Sequence, residues 1–200
     1  MTDGVFEDPA NTREEILAAT YRCLRNHGYA DLTMQKIGDE LEQSPSLVYH
    51  HYENKDALVI ACLEYLLEHF EGKLGRGRVD DPQDRLEEML DWWFATDVDN
   101  DWHAFLTTVL ELRAQAVHDP DYRAHFTRSD RVFKESLAAA LRTGIDAGVF
   151  QECDPDAVAE TLQTVLIGAI LRRSSTDADV WLEEVHGELE RYLESRVYKN

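Results

Sequence analysis

Lysine is scarce in this chain, and long apolar segments are lacking. Its 200 residues include only five lysines, and 40 Asp and Glu residues outnumber 20 Lys and Arg residues, for a net charge of −20. The longest apolar run, residues 165–171, is far shorter than the roughly 20 residues that a transmembrane helix needs. The N-terminus has neither the basic nor the apolar region of a signal peptide. We therefore expect a soluble, cytoplasmic protein with no membrane partner.

Cysteines are few, and the sequence patterns of β-strands are missing. Cys23, Cys62 and Cys153 are widely spaced and form no CxxC pair, which predicts reduced core thiols rather than disulfides or a zinc site. Runs of β-branched residues alternating with polar ones do not occur. Each of the five prolines follows a capping residue, Asp or Ser, and none interrupts a periodic segment. These features predict an all-α fold.

Helix signals divide the chain into three parts. The capping box Thr12-x-x-Glu15 predicts a first helix that begins at Thr12 and ends at Gly28. Three glycines between residues 72 and 78 indicate a boundary after a long helix that begins at Lys55. We expect an N-terminal domain over 1–54, a connecting helix over 55–74 and a helical bundle over 75–200. The bundle helices are predicted near 83–97, 100–117, 120–147, 155–173 and 178–196.

Residues 33–58, TMQKIGDELEQSPSLVYHHYENKDAL, contain the most specific pattern. Thr33 is a good N-cap for a short helix, and Ser44-Pro45 supplies the cap and the N1 proline of a second one. The second helix extends only to about His51, and Asn54 then caps the long helix. Two short helices joined by a tight turn predict a helix-turn-helix, which inserts its second helix into the DNA major groove.

The first 65 residues resemble the DNA-binding domain of the TetR family of transcriptional regulators. The matching residues are Ile16, Leu17, Gly28, Tyr29, Leu32, Thr33, Met34, Ile37, Leu41, Ser44, Val48, Tyr49, His51, Tyr52, Lys55 and Leu58. The chain departs from the family pattern at Ser46, where Gly or Pro is usual, and at Tyr52, where Phe or Val is usual. Residues 112–150 are similar to the betaine-regulator type of C-terminal domain. The resemblance implies a ligand-responsive homodimeric repressor that binds a palindromic DNA operator.

The resemblance and the helix pattern together identify candidate DNA contacts. Pro45, Ser46 and Leu47 should face base edges, while Tyr49 and His51 match family positions that touch phosphates. Val48 and Tyr52 are predicted to be core residues instead. The full set of predicted DNA-binding residues is Thr33, Gln35, Lys36, Ser44, Pro45, Ser46, Leu47, Tyr49, His50, His51 and Lys55.

Two further sites are predicted in the helical bundle. An aromatic concentration could line the pocket of a small-molecule effector, although such a stripe is more often plain core. The pocket candidates are Trp92, Trp93, Trp102, Phe105, Leu106, Val109 and Arg113. Helices that are apolar on most sides need cover from a second subunit, unless one subunit buries them by itself. The predicted dimer-interface residues are Val165, Gly168, Ala169, Leu182, Val185, Leu189 and Tyr192.

The alternatives to a DNA-binding regulator are an enzyme and a protein-interaction adaptor. An enzyme would need a nucleophile–base pair or a metal site, and the eight histidines and three cysteines fall into no such spacing. We therefore expect no catalytic residue, no metal and no cofactor. A helical protein-interaction adaptor that keeps the fold without binding DNA is favoured by the acidic N-terminal part, in which residues 1–60 carry five basic and eleven acidic residues.

The negative charge leads to a prediction about salt. Duplex-binding proteins are normally basic, so an acidic one fits a salt-loving, halophilic cytoplasm, where the Debye length falls to about 3 Å and phosphate repulsion is screened. The alternative is an ordinary acidic cytosolic protein. We expect operator affinity to stay constant or rise between about 50 mM and molar KCl, as measured by fluorescence anisotropy. Binding that is tight in dilute salt and collapses in molar KCl would contradict the hypothesis.

Overall fold

The structure is a computed structural model that describes residues 5–6, 8–74, 81–94, 100–177 and 180–199. For residues 73–74, 91–94 and 100–105 it describes the backbone alone. Within these ranges the chain forms nine α-helices, which confirms the all-α prediction. They are α1 (Thr12–His27), α2 (Met34–Glu40), α3 (Pro45–His51), α4 (Lys55–Leu74), α5 (Pro82–Phe94), α6 (Asn100–Gln115), α7 (Pro120–Asp146), α8 (Pro155–Ser175) and α9 (Val180–Arg196).

The helices begin where the capping signals predict. The Asp81 carboxylate accepts a hydrogen bond from the backbone N–H of Gln83, Asp119 accepts one from Asp121, and Asp154 caps α8 in the same way. The cap of α1 differs from the prediction by one residue. Asn11, not Thr12, is the N-cap, and the Asn11 side chain accepts from the Glu14 N–H at 3.1 Å while Glu14 accepts from the Ala10 N–H. Asn and Asp compete well with Thr at this position, so the box forms one residue earlier.

The chain divides into two compact units. The first contains α1–α4, α6 and the start of α7 as far as Ser129, and the second contains α5, the rest of α7, α8 and α9. The first segment of unit one ends at Gly75, next to the expected boundary after residue 74, but residues 99–129 also belong to this unit, and α6 packs with α1. No helix in the described ranges is both long and apolar enough to cross a bilayer.

The first unit is built around a core that α1 and α4 share with the two short helices. Ile16 and Leu17 of α1, Ile37 of α2 and Val48 of α3 are each fully buried. Leu58 of α4 completes this group, and it too has no exposed surface. A helix of seven residues is marginal in water on its own. The short helices α2 and α3 therefore depend on this core for their stability.

The second unit has its own core. The buried side chains include Leu86 of α5, Leu141 of α7, Leu162 of α8 and Leu193 of α9. Phe150, in the link between α7 and α8, is 1% exposed and forms an isolated antiparallel bridge with Tyr198 beyond α9. All four helices of this unit therefore contribute to one core.

The close packing of Phe150 on α7 generates a stability prediction. A Cβ atom added at Gly144 would lie 2.1 Å from the Phe150 ring, whereas one added at Gly72 of α4 would meet nothing within 4 Å. Gly144→Ala should lower the free energy of unfolding by about 1–3 kcal/mol through overpacking. Gly72→Ala, the control, should leave it unchanged or raise it by up to about 1 kcal/mol. Urea denaturation followed by circular dichroism measures both, and equal stabilities would contradict the packing argument.

Candidate nucleic-acid interface

Helices α2 and α3 meet through a glycine. A Cβ atom on Gly38 would lie 3.0 Å from the Pro45 nitrogen and 3.1 Å from its Cα, so the two backbones approach closely and a larger residue would require a shift of a few tenths of an ångström. The turn between them places Glu42 at φ 54°, a left-handed conformation that is uncommon outside glycine. The Gln43 N–H donates to the Gly38 carbonyl at 3.0 Å and closes the turn. The geometry is that of a compact helix-turn-helix.

One face of α3 is exposed while the opposite side is anchored. Val48 is fully buried, as predicted, and the half-buried Tyr52 packs against the same core. Ser46, Tyr49 and His50 are exposed, and their spacing of three and four residues places them on one face of the helix. Tyr49 is 58% exposed, which leaves its ring available to a partner.

The other predicted DNA contacts differ in exposure and in their hydrogen-bond partners. The Thr33 and Ser44 hydroxyls serve as N-caps, accepting from the backbone N–H groups of Lys36 and Ser46 at 3.2 and 3.3 Å. The exposed Gln35 amide donates to Asp39 at 2.9 Å. Pro45, Leu47 and Lys36 are half-buried, while Thr33, Ser44 and His51 are exposed.

Lys55 differs from the free phosphate contact that the sequence led us to expect. Its ammonium donates to the Tyr29 carbonyl at 3.3 Å and lies 3.9 Å from the centroid of the Tyr29 ring. A cation over an aromatic face is attracted by the ring quadrupole. These contacts position the Lys55 ammonium and leave further N–H donors on it, so its predicted phosphate contact stays a prediction.

Carboxylates are prominent around the two short helices. Asp39, Glu40, Glu42 and Glu53 are all exposed. Glu40 is paired with Arg22 at 2.6 Å. The described side chains thus give α3 a surface that is polar and aromatic rather than cationic.

Sequence reasoning missed a set of polar contacts behind the helix-turn-helix. Tyr29 and Tyr122 both donate their hydroxyls to Asp56, at 2.6 and 3.0 Å. Burial, followed by the hydrogen bond to Asp56, raises the pKa of Tyr29 to about 12, and burial followed by the negative charge of Asp56 raises the pKa of Tyr122 further. The Tyr29 N–H donates to Glu111 of α6 at 2.9 Å. No local signal reveals these contacts, because their partners are 27–82 residues apart.

The cysteines agree in part with the expectation of core thiols. Cys23 and Cys62 are buried, and burial raises their pKa values to about 11 and about 12. Cys153 is half-buried, unlike the other two. Among the side chains that the structure describes, no three His, Cys, Asp or Glu residues group together as a metal site would require.

The structure describes the side chains of three of the seven residues predicted to line the effector pocket. Trp92, Trp93, Trp102 and Phe105 lie outside the described side chains. Leu106 is buried, and Arg113 stacks on the Phe126 ring at 4.6 Å. Val109 lines a cavity of about 10 Å³ between α1, α4 and α6. That volume is about what one water molecule needs, so the cavity holds no organic ligand as it stands.

The predicted dimer residues separate into two groups. Ala169, Leu182 and Leu189 are only 8%, 3% and 6% exposed in the single chain. Their own unit covers them, which corrects the inference that their apolar character calls for a partner. Gly168 is exposed, and Val165, Val185 and Tyr192 are half-buried. Leu171, one turn beyond Gly168 on α8, was not predicted and is 56% exposed.

Family models match both parts of the chain. Residues 16–62 match the model for bacterial regulatory proteins of the tetR family, and residues 82–197 match the model for the C-terminal part of BetI-type transcriptional repressors. The transcriptional repressor AcnR of Corynebacterium glutamicum is 27% identical over 194 residues, which cover 92% of this chain and 94% of AcnR. BetI of Brucella anthropi is 30% identical over 80 residues, 39% of this chain and 41% of its own.

Solved structures extend the similarity to the fold. A transcriptional regulator from Saccharomonospora viridis, crystallised in complex with choline, superposes with a TM-score of 0.74 at 20% identity, covering 94% of this chain and 98% of its own. A TetR transcription regulator from Haloarcula marismortui superposes with a TM-score of 0.82 at 36% identity, covering 92% of this chain and 97% of its own. With a helix-turn-helix that exposes one face of α3, and with both family models matched, this chain belongs to the TetR family of DNA-binding transcriptional regulators.

Proposed function

We propose that this regulator is a homodimeric repressor that occupies a palindromic operator and releases it when a small molecule binds. Each subunit places α3 in the major groove of one half-site, so that the two-fold symmetry of the protein matches that of the DNA. The repressors among its relatives support the sign of regulation. The cytoplasm is the expected location, and a catalytic role is not part of the proposal.

The observation that carries the proposal is the exposed face of α3. Ser46 can hydrogen-bond to a base edge, and Tyr49 and His50, three and four residues further, can reach the backbone of the duplex. Val48 on the opposite side is fully buried, so the helix cannot rotate this face away without losing its core contact.

A small-molecule effector is supported by one structural relative. The Saccharomonospora viridis regulator was crystallised with choline, which shows that its fold can hold a small organic ligand. In this chain the effector must bind the DNA-incompetent form more tightly than the competent form, since a ligand with equal affinity for both would shift nothing. The chemistry of the effector does not follow from that likeness, which is 20% identical in sequence.

The adaptor hypothesis remains the second candidate. It is favoured by the exposed carboxylates of Asp39, Glu40, Glu42 and Glu53 around the two short helices. An adaptor of this fold would bind a protein and would select no sequence from a pool of random duplexes. Selection of duplexes by the purified chain in molar KCl, followed by sequencing, therefore separates the two hypotheses.

Two substitutions on α3 should affect DNA binding in different ways. Tyr49→Ala should weaken the binding of all duplexes by about tenfold or more, because a phosphate contact carries no sequence information. Ser46→Ala should instead relax the preference at one base position, since a base contact discriminates by about 1–3 kcal/mol. Anisotropy titrations with the selected duplex and its single-base variants measure both effects.

Thermal melting provides the control for these variants. Both side chains are exposed, so neither substitution should lower the melting temperature substantially. Wild-type affinity and wild-type base preference in both variants would show that α3 is not the reading helix.

Dimerisation is proposed to use the outward face of α8. Val165, Gly168, Leu171 and Arg172 recur at helical spacing, and a Cβ atom at Gly168 would meet nothing within 4 Å of its own chain. A glycine on an exposed helix face permits close approach by a second helix. We place the two-fold contact here, because Ala169, Leu182 and Leu189 point into the core of their own unit.

An added charge on this face should separate the subunits. Leu171→Glu should increase the dissociation constant of the dimer by about tenfold or more, because it buries an unpaired carboxylate. Val117→Glu is the matched control, since Val117 is a similarly exposed apolar residue, at 66%, in the first unit. Sedimentation-velocity runs across a dilution series measure both, and equal dissociation constants would place the interface elsewhere.

A further inference from the structure

Tyr29 lies in the link between α1 and α2, and residues of other helices bind each of its polar groups. Its backbone N–H donates to Glu111 of α6 at 2.9 Å. Its carbonyl accepts from Lys55 at the start of α4 at 3.3 Å, and the same ammonium covers its ring. Its hydroxyl donates to Asp56, also in the first turn of α4, at 2.6 Å. The link that precedes the helix-turn-helix is therefore fixed to two other helices.

Asp56 extends this arrangement to α7. The hydroxyl of Tyr122 donates at 3.0 Å to Oδ1 of Asp56, the same oxygen atom that accepts from Tyr29. Tyr122 is 1% exposed, and its ring meets that of Tyr29 edge to face with centroids 6.2 Å apart. Hydrogen bonds to a carboxylate are about twice as strong as those between neutral groups. Both hydroxyls are protonated at neutral pH, as tyrosines ordinarily are, and burial raises the pKa of each.

A second set of contacts holds α4 against α7 further along. Glu64 accepts from His125 at 2.6 Å and from Arg128, and Arg128 also pairs with Glu71 at 3.1 Å. These contacts fix α4 relative to α7 without touching the link before α2. Of the contacts between α4 and α7 described in the structure, only the one made by Tyr122 continues through Asp56 to Tyr29.

Both ends of the recognition helix depend on the elements that meet at Asp56. α3 ends at His51, four residues before α4 begins at Lys55, and its start packs on Gly38 of α2. Thr33, the N-cap of α2, lies four residues after Tyr29, and α2 begins at Met34. Movement of Asp56 relative to Tyr29 would therefore change how α2 and α3 are oriented on α4.

We propose that Tyr122, Asp56 and Tyr29 form a positioning relay that holds the recognition helix in its DNA-binding orientation from α7. The three residues act through α3, and none of them belongs to the DNA-facing set. Loss of one hydroxyl allows α3 more orientations, so that binding must restrict them and affinity falls. The inference rests on the proposed function, since it requires an operator.

The test uses the full chain and a duplex of about 30 base pairs that the wild-type protein selects from a random pool. Tyr122→Phe and Tyr29→Phe should each raise the operator dissociation constant by roughly three- to tenfold. The double variant should have the same dissociation constant as the single variant that binds less tightly. The two hydroxyls converge on one atom, so the effects of removing them are not independent. Tyr198→Phe removes a tyrosine hydroxyl in the second unit, and its dissociation constant should stay within about twofold of the wild-type value.

The measurement separates positioning from stability. Titration at saturating DNA counts the binding-competent molecules, so unfolded protein is not mistaken for weak binding. If Tyr122→Phe does not fold, Asp56→Asn, which keeps the shape and weakens both hydrogen bonds by removing the charge, should also raise the operator dissociation constant. A lowered melting temperature with an unchanged dissociation constant would overturn the relay, as would single effects that multiply in the double variant. Failure of the wild-type chain to select any duplex would instead overturn the proposed function, and the relay with it.

Discussion

The burial of Val48 is the constraint on which the DNA-binding surface depends. A helix of seven residues gains too few internal hydrogen bonds to persist alone, so α3 exists because its inner side is sealed into a core with Ile37 and Leu58. The same contact decides which residues face outward. Once Val48 points inward, Ser46 and Tyr49 point away from the core by the geometry of the helix alone. Stability and recognition on this helix are therefore two consequences of one packing contact.

The helix boundaries were predictable because their causes are local. A capping side chain and the backbone N–H that it accepts from lie two or three residues apart. Thr33, Ser44 and Asp154 therefore indicate from the sequence alone where a helix begins. The error at α1, Thr12 in place of Asn11, arose between neighbouring residues that can both cap, and the predicted ends of α6 and α8, at 117 and 173, each differ by two residues from the observed Gln115 and Ser175. Core positions such as Val48 were predictable for a similar reason, since apolar periodicity is read within a single helix.

The polar contacts of the site were not predictable in the same way. Lys55 is a predicted phosphate contact because a cation at a helix start beside α3 is well placed for one, but nothing local in the sequence indicates its hydrogen bond to Tyr29, 26 residues earlier. Glu111 contacts a residue 82 positions away. The prediction for α8 and α9 had a related limit. Apolar residues on most sides of a helix indicate that it is buried, but they do not indicate whether its own subunit or a second subunit buries it. Leu182 and Leu189 prove to be covered by their own unit.

The location of the charges changes how an acidic protein can bind DNA. The salt dependence of binding grows with the number of cations that neutralise phosphates, because each releases condensed counterions. In this chain Lys55 is held by Tyr29 and Arg22 by Glu40, so two of the five basic residues in 1–60 are already engaged within the protein. The exposed face of α3 offers a hydroxyl, a phenol and an imidazole instead. Hydrogen bonds from such groups are short-ranged and release few ions. A net negative domain can therefore recognise a duplex where salt screens their mutual repulsion, with little of its affinity drawn from counterion release.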